Sequence, residues 1–275
     1  MNVGIAGKFA RRLVTYLLEK DNISILGYCR KPSKASEAFK ASSKVELISE
    51  DAFDRDTVRS FVQGCHVVVC CYLGNQKLML DGQKELIDAC EDLHAYLETK
   101  KNVSGGHIFI GGFMEPVFSP FFNIFEPSTR TFWHWGKGDE VMEGLLNDNV
   151  VQFTAAVVGD PDARDILRWP SLSIVDGRAP IREIAESFEK VHYLSAALKR
   201  RGSRDDLYQK MHSLHDKVPQ DVFKFSHYYW IDGQTFVGPK LDNVKYYGVT
   251  PVDWEGYIRQ WTLEQLQTSY SALGM

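Results

Sequence analysis

The feature that most constrains this chain is segment 66–72, HVVVCCY, an apolar and β-branched run without alternating polar positions. A strand with one wet face alternates. An unbroken apolar run is expected to be covered on both faces, as a central strand of a parallel sheet is. The surrounding sequence fits such a sheet. Residues 2–6, 23–29 and 45–48 read as short strands, whereas 8–20 carries Phe9, Leu13, Val14, Leu17 and Leu18 at helical spacing. Residues 33–41 read as a short helix, and 54–63 and 76–90 as amphipathic helices. Strands separated by helices of about 10 to 15 residues need crossover connections, which wind a parallel sheet with helices on both faces. The expected class is α/β, a Rossmann-type doubly wound parallel sheet.

Residues 107–110 form a further strand, after which the pattern changes. Segment 111–125 is rich in Phe, Pro and Gly, and 131–135 clusters aromatic residues. Segments 181–198, 205–218 and 252–271 read as helices, and 226–237 as a strand or extended segment ending in a turn. The expected organisation is a dinucleotide-type domain over 1–112 and a smaller C-terminal α+β substrate lobe over 113–275, interleaved with the end of the sheet.

With 275 residues and 44% hydrophobic content, the chain can bury one large core or a core plus a small lobe. The net charge is -4, and Lys and Arg are scattered, so direct nucleic-acid binding is not expected. No apolar run approaches the roughly 20 residues needed to span a bilayer, and no leader pattern opens the chain, so a cytoplasmic protein without a membrane partner is expected. The five cysteines lie mostly in or beside apolar runs without CxxC spacing, which suits reduced thiols better than disulfides or a metal site.

Ligands of doubly wound sheets bind beyond the carboxyl ends of the strands, which directs attention to 7–8, 30–32, 72–76 and 111–115. Residues 4–10 fit the spacing G-x-x-G-x-x-A, with Gly4 and Gly7 where a backbone must approach a pyrophosphate and a helix N-terminus must face it. Two frames are open: either residues 1–3 are the whole first strand, or Gly7 alone ends a full strand and the loop is shortened. After the second strand stand Arg30, Lys31 and Lys34. An acidic residue there would hold the ribose hydroxyls of NAD, whereas basic residues accommodate the extra phosphate of NADP, so NADP(H) is expected over NAD.

Taken in order, GIAGKFARRLV, GYCRKPSK, VVVCCYLGNQKLMLDGQKELIDAC, HIFIGGFMEP, FWHWGKGDE, IREIAESFEKV and YYWIDGQTFVGPKLDN resemble fungal NmrA-like proteins over nearly the whole chain. These are atypical short-chain dehydrogenase/reductases related to isoflavone reductases. The resemblance implies NADP binding and a small substrate lobe. It also implies reduction of a carbonyl or conjugated double bond in a secondary metabolite, or, in other members, redox sensing without catalysis. It places cofactor contacts at Gly4, Gly7, Phe9, Arg30, Lys34, Tyr72, Leu73, Gly111, Gly112 and Phe113. The chain departs from the family twice. A further x-T-G is absent between Gly7 and Lys8. Between Cys90 and Leu93 a stretch of roughly thirty residues is missing, about one strand-plus-helix unit, which would carry the fifth strand and the catalytic lysine. The join reads as a nearly continuous helix over 86–98, leaving strand 107–110 without a neighbour on one side.

Without that lysine, the catalytic candidates are His94 and the pair Tyr96 and Lys100, whose Y-x-x-x-K spacing lets a lysine lower a tyrosine pKa. Met114, Glu115, Phe118, Phe122, Trp133 and Tyr229 are candidate walls of a pocket for a flat hydrophobic ligand, or else core between lobes. His134, between two tryptophans, is expected to face solvent. Three functions fit: an NADP-dependent reductase of a hydrophobic small molecule, a non-catalytic NAD(P)-sensing regulator with a protein partner, or a redox-neutral cyclase or isomerase in the same pocket. A homodimer is compatible with each.

Overall fold

The computed structural model describes residues 2–3, 5, 7–49, 51–71, 77, 81, 108–120, 122–162, 172–213 and 222–272. The chain divides into two compact units, Met1–His107 with Val151–Ser171, and Ile108–Val150 with Leu172–Met275.

In the first unit β1 (Asn2–Val3), β2 (Ile25–Tyr28), β3 (Val45–Ile48) and β4 (Val69–Cys70) form a parallel sheet in the order β3-β2-β1-β4. This is the strand order of a doubly wound half. Helices α1 (Lys8–Leu18), α2 (Glu37–Ala41) and α3 (Arg55–Val62) lie between the strands in sequence. The helical spacing of α1 buries Ala10, Leu13, Val14 and Leu17, of which the last three pack with Ile5, Ile25, Cys29, Phe39, Val151 and Ala155. Each fully buried Leu or Val contributes roughly 1.5–3 kcal/mol. Helix α3 starts at Asp54, whose carboxylate accepts from the Thr57 amide at 3.0 Å, and lays Val58, Phe61 and Val62 against Tyr28.

The central strand expected over 66–72 is corrected. Strand β4 covers only Val69–Cys70, Val69 is half-buried, Cys70 is exposed, and β4 ends the four-strand order among the described residues. Composition reports how apolar a strand is; its position in the sheet depends on neighbours remote in sequence. The helix expected over 76–90 lies outside the described residues apart from Lys77 and Asp81.

In the second unit, β5 (Ile108–Ile110) pairs in parallel with β10 (Leu172–Ile174), so this strand takes a neighbour from far along the chain. Strands β6 (Gly112–Phe113), β9 (Val141–Leu145) and β11 (Gly177–Pro180) form a second sheet, and β7 (Phe125–Glu126), β8 (Thr131–Trp135) and β12 (Ala197–Gly202) a third. Helices α4 (Glu115–Phe118), α5 (Asn147–Val158), α6 (Ile181–His192), α7 (Arg204–His212), α8 (Val222–Ile231), α9 (Trp254–Arg259) and α10 (Leu263–Ala272) complete the described elements, with α5 continuing into the first unit. The core gathers Met114, Phe118, Phe132, Ile184, Phe188, Trp254 and Tyr257 among others.

Three expected helices are shorter than their patterns. Helix α6 ends at His192, where Tyr193 adopts φ 56°, and β12 follows; Glu189 holds the turn by accepting from the Ala196 amide at 2.7 Å. The span 205–218 is helical only to His212 among the described residues. The span 252–271 is two helices, because Thr262 and Gln265 form a reciprocal cap at the start of α10, at 3.1 and 3.3 Å. The segment expected extended from 226 is instead α8, in which His227 is buried and Trp230 donates to the Val141 carbonyl at 2.9 Å. Tertiary packing overrides the β-preference of its aromatic residues.

Candidate functional site

The sheet of the first unit presents two connected features at its carboxyl edge. The first is the start of α1. Strand β1 ends at Val3, and Gly7 is the helix N-cap, extended at φ −68° and ψ 157° with no side-chain cap. The first turn also lacks an acidic residue. A helix N-terminus without a side-chain cap or an acid suits an anion.

The second feature is the loop after β2. The Cys29 amide continues the strand pairing by donating to the Ile48 carbonyl at 3.0 Å, and Pro32–Lys34 then makes one 3-10 turn anchored by buried Ala35. The side chains of Arg30, Lys31 and Lys34 are exposed, and none pairs with a carboxylate among the described residues; Glu37 is engaged by Lys40 at 2.7 Å. Burial pushes the Cys29 thiol up, against a lowering backbone hydrogen bond from Lys31, so this cysteine is a packing residue rather than a thiolate.

Arg11 joins the two features. From the first turns of α1 its Nη2 donates to the Lys34 carbonyl at 2.7 Å, while its Nε is buried and has no acceptor. The expected sites did not include Arg11. The signal was present, because Lys8 and Arg11 place cations at the positive end of a helix dipole, which an anion there would offset.

Of the other expected cofactor contacts, Phe9 is half-buried against the core of the first unit. Gly4, Tyr72 and Leu73 lie outside the described residues, as do His94, Tyr96 and Lys100. Gly111, Gly112 and Phe113 belong to the second unit, where Gly112 and Phe113 pair in parallel with Gly144 and Leu145. A Cβ at Gly111 would stand 2.6 Å from the Glu143 carbonyl oxygen, so close strand packing alone demands glycine there.

The expected pocket residues are dispersed within the second unit. Met114 and Phe118 are fully buried core, with Phe118 edge-on to Phe125 and Phe132. Glu115 is buried and accepts from the Asn147 amide at 2.9 Å. Phe122 stacks on His227 at 5.6 Å, and burial brings that imidazole down to about 4, so it is neutral. Trp133 is half-buried between Lys199 and Arg201, at 5.6 and 5.2 Å from its ring, and Tyr229 is exposed beside Tyr228. A groove of about 430 Å³ is lined by Phe118, Pro120, Asn123, Phe125, Glu126, Pro127 and Ser128. His134 does not face solvent as expected; β8 buries both Phe132 and His134, whose Nδ1 lies 3.2 Å from the Trp135 carbonyl.

Two part-buried polar groupings were also not foreseen. Asp176 accepts from the Leu146 amide at 3.1 Å and from Asn149 Nδ2 at 2.8 Å. Glu143 meets Arg178 at 2.6 Å and accepts from the Val237 amide, while Arg178 also donates to the Gly238 carbonyl. Among the described residues no group of three or more His, Cys, Asp or Glu could hold a metal, and no helix is long and apolar enough to cross a membrane.

Residues 4–95 match the NAD(P)H-binding family. No curated protein sequence matches the chain. An NADPH-dependent quinone oxidoreductase from Escherichia coli in complex with NADPH superposes with a TM-score of 0.70 at 14% identity, over 94% of this chain and 98% of that one. The leucoanthocyanidin reductase of Vitis vinifera in its binary complex with NADPH gives 0.68 at 17% identity, over 94% and 97%. An isoflavone reductase gives 0.69 at 14% identity, over 95% and 98%. At such identities the likeness is one of fold, and the fold is the Rossmann-type α/β architecture.

Proposed function

We propose that this chain binds NADP(H) on its first unit and is an NADP-dependent reductase of a hydrophobic small molecule bearing a carbonyl or conjugated double bond, of secondary-metabolite type. The observation that carries this reading is the loop after β2, where Arg30, Lys31 and Lys34 stand exposed without carboxylate partners at the position that selects between the two dinucleotides. The match of residues 4–95 to the NAD(P)H-binding family supports it, as do neighbours named as NADPH-dependent or NADPH-bound reductases. The uncapped start of α1 at Gly7 suits a pyrophosphate, and Arg30 and Lys34 suit the phosphate on the adenosine ribose. The bound nicotinamide would supply the hydride, and the protein binding and orientation.

A second reading, a dinucleotide-sensing regulator without catalysis, is favoured by one observation: Met114 is closed into the core. A sensor needs no cavity beyond its cofactor. Titration of the purified protein with NADPH and NADH, followed by nicotinamide fluorescence, tests both readings. Binding with NADPH preferred by about tenfold or more is expected, followed by NADPH consumption with some of a panel of quinones and enones. Binding without turnover across the panel would move the assignment to the sensor, and absence of binding would remove both.

A further inference from the structure

We infer that Arg11 is a further specificity-determining residue of the dinucleotide site, holding the β2 loop in place and donating to the 2′-phosphate of NADP(H). This rests on the dinucleotide reading above. A guanidinium offers five N–H donors in a rigid fork, always charged. In Arg11 one terminal nitrogen is committed to the Lys34 carbonyl at 2.7 Å, and the Nε–H is buried without an acceptor. A buried donor left unmade is costly, most of all on a charged group. The residue also sits near the positive end of α1, beside Lys8, with no acid in the first turn. The bond to Lys34 lies at the exposed surface, where the other terminal N–H donors of the fork can meet an anion with several oxygens.

The partner of Arg11 indicates which phosphate is meant. The pyrophosphate of either dinucleotide belongs at Gly7, on the helix axis. The contact made by Arg11 is instead with the loop at the end of β2, where the adenosine ribose of a doubly wound site lies. Arg30, Lys31 and Lys34, on the same loop, supply further charge and have no carboxylate partner among the described residues. The Arg11–Lys34 bond thus fixes the backbone that carries these cations, and the remaining terminal N–H donors of the same guanidinium are left for the group that NADPH has and NADH lacks.

The test compares full-length wild type, Arg11→Ala and Arg11→Lys. Dissociation constants for NADPH and NADH are measured by fluorescence, and for adenosine 2′-monophosphate by calorimetry, with a thermal melt of each unliganded variant. A charge-assisted bond plus a loosened loop predicts that Arg11→Ala weakens NADPH and adenosine 2′-monophosphate by about tenfold to a hundredfold and NADH by no more than about threefold. Arg11→Lys, which keeps the charge but not the fork, is expected between wild type and Ala. Equal weakening of NADPH and NADH overturns the inference by placing Arg11 at the pyrophosphate, and so does no weakening of either. If Arg11→Ala does not fold, the Arg11→Lys comparison decides on the same criterion. Wild type that binds NADPH well, with a preference untouched by either variant, sinks this inference alone. Wild type that binds neither dinucleotide sinks the dinucleotide reading with it.

Discussion

Gly111→Ala separates two reasons for a glycine at one position. As a cofactor contact, Gly111 would matter only when the dinucleotide is bound. As a packing residue it matters in the unliganded protein. A Cβ at this position lies 2.6 Å from the carbonyl oxygen of Glu143, 2.8 Å from its carbonyl carbon and 3.2 Å from its Cβ. Close carbon–oxygen contacts between strands run at about 3.3–3.6 Å, so the backbones must part by roughly 0.7 Å. They cannot do so freely, because Gly112 is in register with Gly144 and Glu143 is held by Arg178. Overpacking costs typically about 1–3 kcal/mol, and an obstacle made of backbone puts the cost toward the upper end. At about 2–4 °C per kcal/mol, the melting temperature should fall by about 5–10 °C. Differential scanning calorimetry without ligand reads this directly, beside an NADPH titration of the same sample. An unchanged melt with lost NADPH affinity would refute the packing argument and return Gly111 to the cofactor.

Arg178→Met should destabilise by about 2–3 kcal/mol, below the 3–5 kcal/mol of a fully buried pair, because the Arg178 side chain is 30% exposed while Glu143 is 3% exposed. In a Glu143→Gln background the same substitution should cost far less; equal urea-midpoint losses in both backgrounds would contradict a coupled pair. Asp176 contributes a pH dependence of defined sign. Burial raises its pKa to about 6, with Glu115 adding to the rise and the hydrogen bonds from Leu146, Asn149 and Val252 opposing it. The folded protein then holds this proton more tightly than the unfolded chain, where the value is about 3.9. The stability that Asp176 contributes is therefore full at low pH and lost as pH rises from about 4 to about 6. Asp176→Asn, which keeps an acceptor for the Leu146 amide and Asn149, should flatten the denaturation midpoint across that window, and an unaltered slope would count against the assignment.

What the sequence determined by itself was local. Strand Val45–Ile48 matches its expected bounds, and α1 follows the spacing of Leu13, Val14 and Leu17, because periodicity and β-branching act over a few residues. The basic loop at Arg30, Lys31 and Lys34 was likewise visible as three cations after an apolar run. Two helix starts are written as plainly in the sequence, Ser203 with Asp206 and Thr262 with Gln265, each a reciprocal side-chain cap of its own first turn. Tertiary structure alone decided the rest. Glu143 and Arg178 meet because β9 and β11 are antiparallel neighbours, and Asn149 reaches the Thr250 carbonyl at 3.0 Å across most of the second unit's sequence. Segment 222–231 became a helix, and His134 went inside, because those positions found aromatic and backbone partners remote in the chain. Arg11 belongs to this second class: its spacing marks a helix, but only the fold shows that its guanidinium spans to the loop of Lys34. The division is physical, since propensity, capping and periodicity are set by neighbours in sequence, whereas burial, ion pairing and unmade hydrogen bonds depend on which distant segments pack together.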